Sequence, residues 1–164
     1  MSPHPSCSQH FPSDHIDPSV PHADKINAIL DRFREEIVCP YEQPGNGIAR
    51  DMYDRLGMPW DGPSPITSFP RSLYIKHEFD RDGIPSNGKD FFGGSQAITF
   101  AQVEKILSTG SPVVRWREAH PDLVGTKDDL VAKLVDEVRE FVGEQESLEV
   151  VGGTAILLFK KEMR

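Results

Sequence analysis

The sequence predicts an α+β domain in which several helices pack on a small, mainly antiparallel sheet, a C-terminal hairpin plus one further strand. Three observations carry this. Leu148 to Lys160 reads as two short runs joined by Gly152-Gly153, and a glycine pair at such a junction favours a hairpin because both turn positions take positive φ at no steric cost. Arg71 to Phe79 alternates, with Leu73, Ile75, His77 and Phe79 on one face and Tyr74, Lys76 and Glu78 on the other, the period of a half-buried strand. Several other segments carry apolar stripes at helical spacing.

Residues 1–22 are rich in Pro, Ser and His, and are expected to be a disordered tail. His4, His10, His15 and His22 fall in it at irregular intervals, without the spacing of a metal site. Residues 23–164 are expected to form a single domain, long enough for a real core. The first helix spans Asp24 to Val38, with Ile26, Ile29, Leu30, Phe33 and Ile37 on one face and Pro40 as its stop. A shorter helix is expected over Ile48 to Leu56. Gly57 to Pro70 is loop, because four prolines remove donors, and it carries Trp60 and Phe69 as possible pocket walls or pins.

The alternating strand follows, then a polar turn region and the aromatic loop Phe91-Phe92-Gly-Gly. Thr99 with Gln102 three residues on is a capping box and opens a helix. Ser111-Pro112 opens another, to about Ala119. The longest helix begins at Thr126 to Asp129 and carries Leu130, Val131, Leu134, Val135, Val138 and Val142 as its stripe, with Gly143 as its stop. In the final strand Ala155 to Phe159 are apolar without alternation, which predicts cover on both faces.

The net charge of −8 with no basic cluster argues against a nucleic-acid partner. No apolar run approaches the ~20 residues that span a bilayer. Cys7 and Cys39 are expected to be reduced thiols, which with the polar N-terminus points to a cytoplasmic protein.

Tyr53-Asp-Arg-Leu-Gly-Met-Pro-Trp60, Phe69-Pro-Arg-Ser-Leu-Tyr74, Glu78-Phe-Asp80, Asp90-Phe-Phe-Gly93 and Trp116-Arg-Glu-Ala-His-Pro121 occur in this order before the closing apolar strand. The ordered set, over about Ala23 to Lys160, resembles the C-terminal part of fungal class I S-adenosylmethionine-dependent methyltransferases of the trans-aconitate methyltransferase-like type. In that family a cofactor-binding half with a glycine-rich loop precedes this region. Gly45-Asn-Gly47, Gly93-Gly94 and Gly152-Gly153 are the glycine pairs here, and none has the strand–turn–helix setting of such a loop. The resemblance therefore implies a truncated methyltransferase-like fold, the substrate cap and terminal hairpin, without S-adenosylmethionine binding.

An orphaned apolar strand edge needs a partner. The Arg71–Phe79 strand, a second copy of the chain, or a methyltransferase-like subunit can supply it, and a homodimer through the C-terminal strand edge is expected. A retained cap pocket can act on an apolar small molecule through shape, desolvation and one or two proton-transfer groups, as cyclisation and isomerisation require. His77, on the apolar strand face, is expected to be a buried neutral base. Trp116 and His120 are four apart and share a helix face, an aromatic wall beside a base, and Arg117 can polarise a carbonyl. Trp60 and Tyr74 complete the expected walls. No metal or cofactor is expected. The reading is a cofactor-independent cyclase or isomerase of fungal secondary metabolism; the alternative is a non-catalytic partner of a full-length methyltransferase.

Overall fold

The structure, a computed structural model, describes residues 15–86 and 92–162. Five strands and five α-helices follow in the order β1 (His15–Ile16), α1 (Ala23–Arg32), α2 (Pro44–Arg50), β2 (Tyr74–Phe79), β3 (Ser95–Thr99), α3 (Phe100–Thr109), α4 (Ser111–Ala119), α5 (Leu130–Val142), β4 (Ser147–Val151) and β5 (Thr154–Phe159). The α+β class is as the sequence predicts, with helices on small antiparallel sheets.

The core lies between one sheet, ordered β1–β4–β3, and the layer α1, α3, α5. Helix α5 buries the six residues of its predicted stripe, and Asp129 caps it by accepting the Val131 N–H at 2.9 Å. Gly143 ends it at φ 62°, where a side chain would be strained. The capping box of α3 is present: Gln102 Oε1 accepts the Thr99 N–H at 2.8 Å and Thr99 Oγ1 accepts the Gln102 N–H at 3.3 Å.

The first helix departs from its expected face. After α1 the chain continues as a π-helical turn, Phe33–Val38, closed by the Cys39 N–H on the Arg34 carbonyl. An i→i+5 turn moves the inward position by one residue. Val38, five after Phe33, is therefore buried at 6%, while Ile37, four after it, is 36% exposed. The second helix also lies earlier than expected, at Pro44–Arg50, with turns rather than helix beyond it.

The hairpin is corrected. Strands form on both sides of Gly152-Gly153, but they do not pair with each other. β4 takes β1 and β3 as neighbours, and β5 pairs with β2 across Tyr74↔Phe159 to Phe79↔Thr154. Neither glycine has positive φ, so no tight hairpin turn forms. Of the expected partners for the last strand, the one at Arg71–Phe79 is the one observed. Among the described residues the expected cover on both faces of β5 is incomplete: Thr154 to Leu157 are half-buried, while Leu158 is 48% and Phe159 39% exposed.

Two further corrections concern the N-terminal stretch and Cys39. From His15 onward the expected tail is packed: Ile16 pairs with Val150 and is buried, Val20 is buried, and the Ile16 N–H donates to Asn27 Oδ1 at 2.9 Å. The rest of that tail lies outside the described residues, Cys7 included. Cys39 is disulfide-bonded, so the expected reduced thiol at that position, and the intracellular argument built on it, do not hold. Among the described residues no helix is long and apolar enough to cross a membrane.

Candidate functional site

Helices α1, α4 and α5 and the π-turn border a cavity of about 220 Å³ that is open to solvent on one side. Ile29, Phe33, Ile37, Trp116, Leu130 and Leu134 supply apolar walls. Two ion pairs stand at its polar side, Arg32 with Glu137 and Lys133 with Asp128 at 2.9 Å.

Trp116 is among the walls of this cavity, and His120 stacks on its indole at 4.4 Å between ring centroids and 22° between planes. The pairing follows from their i, i+4 spacing at the end of α4. His120 Nδ1 lies 2.8 Å from the Trp116 carbonyl oxygen. A carbonyl oxygen only accepts, so Nδ1 carries the proton, and in the neutral ring Nε2 holds the lone pair. Tyr41 meets the imidazole edge-on at 6.1 Å. His120 does not line the cavity itself; it flanks the indole that does.

Arg117 makes a two-pronged contact with Asp129, Nε to Oδ2 at 2.8 Å and a terminal nitrogen to Oδ1 at 2.9 Å. Asp129 is 2% exposed. Burial pushes its carboxyl up, but the bonds from Arg117 and the Val131 N–H outweigh this and hold it below the usual range. Arg117 therefore ties α4 to the start of α5. Its guanidinium geometry is that of a fork on a carboxylate.

The remaining candidates gather elsewhere. Trp60 and Tyr74 meet at 5.3 Å, and both contact Phe159, at 6.1 and 5.0 Å, on one face of the β2–β5 ribbon. The Tyr74 hydroxyl is buried there and has no hydrogen-bond partner among the described residues. His77 is the clearest correction. It lies opposite Ile156 in the ribbon and is exposed, because no layer covers that face among the described residues; a buried neutral base is not what this position holds.

A polar cluster beside Tyr41 escaped the sequence reading. Arg115 donates from Nε to the Tyr41 carbonyl at 2.6 Å and from a terminal nitrogen to Asn46 Oδ1 at 3.1 Å. Glu42 pairs with Arg50. Burial pushes the Glu42 carboxyl up, and the nearby cations Arg50 and Arg115 only partly offset this. A carboxyl that keeps its proton closer to neutrality is suited to proton transfer. No local sequence signal marks this cluster, because Arg115 reaches Tyr41 across 74 positions. Among the described residues no group of three His, Cys, Asp or Glu is placed to hold a metal ion.

The architecture that carries these residues has a counterpart among solved structures. The solved structure of a putative type II methyltransferase from Anaeromyxobacter dehalogenans superimposes on it with a TM-score of 0.51, at 16% identity, over 92% of this chain and 49% of that one. The chain thus spans about half the length of that neighbour, and at this identity the likeness speaks for the fold alone. No protein-family model and no curated protein matches the chain.

Proposed function

We propose that this chain is a cofactor-independent enzyme that holds an apolar small molecule against Trp116 and cyclises or isomerises it, on a methyltransferase-like fold that has given up S-adenosylmethionine. The observation that carries the reading is the Trp116 cavity, apolar on its walls, edged by ion pairs and flanked by His120. An indole face suits an unsaturated ligand. The Nε2 lone pair of His120 and the carboxyl of Glu42, beside Tyr41, are groups that can move a proton without a metal. The ordered motifs Tyr53 to Trp60 and Trp116 to Pro121 support a fungal secondary-metabolic setting.

The test is comparative mass spectrometry of metabolites with and without the gene. The expected result is accumulation of an isomer of the normal product, equal in mass. A compound short of one methyl group overturns the reading in favour of service to methyl transfer. In the purified protein, His120→Gln and Trp116→Ala should each lower turnover at least tenfold while retaining the fold. Calorimetry with S-adenosylmethionine should give no binding heat.

A second reading concerns assembly. Among the described residues β5 has β2 on one side and no strand on the other, and Ile75, Leu158 and Phe159 stand exposed on the ribbon. The occupant we propose is a second copy of the chain, its β5 edge pairing antiparallel with this one about a two-fold axis. Light scattering should give a dimer at micromolar concentration and a monomer for Leu158→Lys. A monomeric parent protein overturns it, and a stoichiometric complex with a methyltransferase replaces it with the partner-subunit alternative.

A further inference from the structure

A second cavity, of about 150 Å³, lies on the other side of Phe33. It sits between the β1–β4–β3 sheet and α1, α3 and α5, with Ile16, Ile98 and Leu148 from the strands and Val103, Leu107 and Val138 from the helices among its walls. Among the described residues Arg34 is its one charged wall residue. Phe33 and Leu134 line both this cavity and the Trp116 cavity. Two side chains, one from the π-turn and one from α5, are therefore the shared partition between them.

Neither volume alone reaches the ~300 Å³ at which ligand pockets begin, whereas the two joined do. An apolar cleft of about 150 Å³, open to solvent on one side, has room for one small ring. Phe33 opens the π-helical turn, and such turns concentrate at functional sites. The wall chemistry is one-sided. Apolar groups repel a polar ligand, and the Arg34 guanidinium, bonded to Asp31 at 2.9 Å, sets a cation at the wall, suited to a carboxylate.

From this we propose that the two cavities are halves of one site for an apolar carboxylic acid. The acid group meets Arg34, and the hydrocarbon passes Phe33 toward Trp116 when the phenyl ring turns aside. This rests on the reading of the Trp116 cavity as a ligand site, and it adds the ligand class and the gate.

The test uses the full chain, straight-chain acids and the matching alcohols, and reads binding rather than turnover. Hexanoate fits the Arg34 side alone and should bind without changing Trp116 emission. Decanoate should bind more tightly, one per chain, and change that emission; Trp116→Phe should abolish the change while calorimetric binding persists. Arg34→Gln should weaken decanoate about tenfold or more, the scale of one charged hydrogen bond, and leave decanol unaffected. Phe33→Leu should shift the preferred chain length upward.

Decanoate binding with no response from Trp116 overturns the joined site. Equal loss of acid and alcohol in Arg34→Gln overturns the carboxylate assignment. Absence of binding by every acid overturns the whole, and the chain-length series needs no variant to fold. If decanoate behaves as expected while metabolites show no isomerisation, the enzyme reading fails and the binding site stands.

Discussion

β4 and β5 are consecutive in the chain and differ in everything that follows from what lies on them. Val151, the last residue of β4, is fully buried; three residues on, β5 opens, and none of its residues is buried. β4 is the middle strand of a sheet with a helical layer on one face; Leu148 and Val150 reach the common core there, while Val151, on the opposite face, is buried outside that cluster. Among the described residues β5 has one neighbour, and the β2–β5 ribbon contributes nothing to that core. The ribbon is held instead by the Trp60–Tyr74–Phe159 contacts and by a network in which Lys76 and Arg81 bridge Asp54 and Glu78. Stability thus comes from the helix-covered sheet, while the ribbon is a surface in search of a cover.

The sharpest way to break this contrast is a matched pair of truncations. Ile26, at 0% exposure, lies in the helical layer, and Ile26→Ala should cost about 2–5 kcal/mol through lost transfer energy and an enlarged cavity. Leu158→Ala on the ribbon should cost under ~1 kcal/mol, measured by urea unfolding at a concentration low enough to keep two copies apart. Equal losses would mean that the ribbon is part of the core.

Asp129 comes next. Asp129→Ala removes the cap of α5 and leaves Arg117 without its carboxylate, and should cost about 3 kcal/mol. Asp129→Asn keeps a capping oxygen and loses only the charge, so it should cost less. The pH dependence has a definite sign. The folded-state carboxyl of Asp129 is held below its ordinary value, so its contribution is present above about pH 4, the ordinary value, and is lost as pH falls through the folded one. Glu42 runs the other way: its carboxyl is raised by burial, so its contribution is largest in acid and declines as pH rises through the raised value. Acid unfolding of Asp129→Asn should therefore be flatter than that of the parent, and that of Glu42→Gln steeper.

What could be read in the sequence was what neighbouring residues decide. The α5 stripe repeats at 3.6 over Leu130 to Val142, and Thr99 and Gln102 cap one another within a single turn; neither needs the rest of the chain. Trp116 and His120 were legible for the same reason. Choice of strand partner was not. Gly152-Gly153 permits a hairpin, but β4 finds more burial between β1 and β3, and both are hard to see: one has two residues, and the other, Ser-Gln-Ala-Ile-Thr, has a single strongly apolar side chain. His77 was misplaced because alternation marks two faces without saying that a layer covers either. Phe33 shifted the inward position from Ile37 to Val38 through an i→i+5 turn that periodicity assumes away. The Tyr41–Arg115 contact spans 74 positions and had no local signal.

The smallest effect tests the ribbon's own support. Arg81 donates to Glu78 and to Asp54 at 3.0 Å, yet it is a third exposed and Asp54 is half exposed. Exposed ion pairs lose to water and to side-chain entropy most of what Coulomb attraction supplies, and salt screens the remainder. Arg81→Gln should therefore cost under ~1 kcal/mol at low salt and less than half as much in 1 M salt, by paired urea unfolding curves. A cost above ~2 kcal/mol that salt leaves unchanged would show these charges to be shielded from water. The ribbon would then already have the cover that its exposed Ile75 and Leu158 lack in the single chain, and the contrast with the helix-covered sheet would belong to the monomer rather than to the protein in solution.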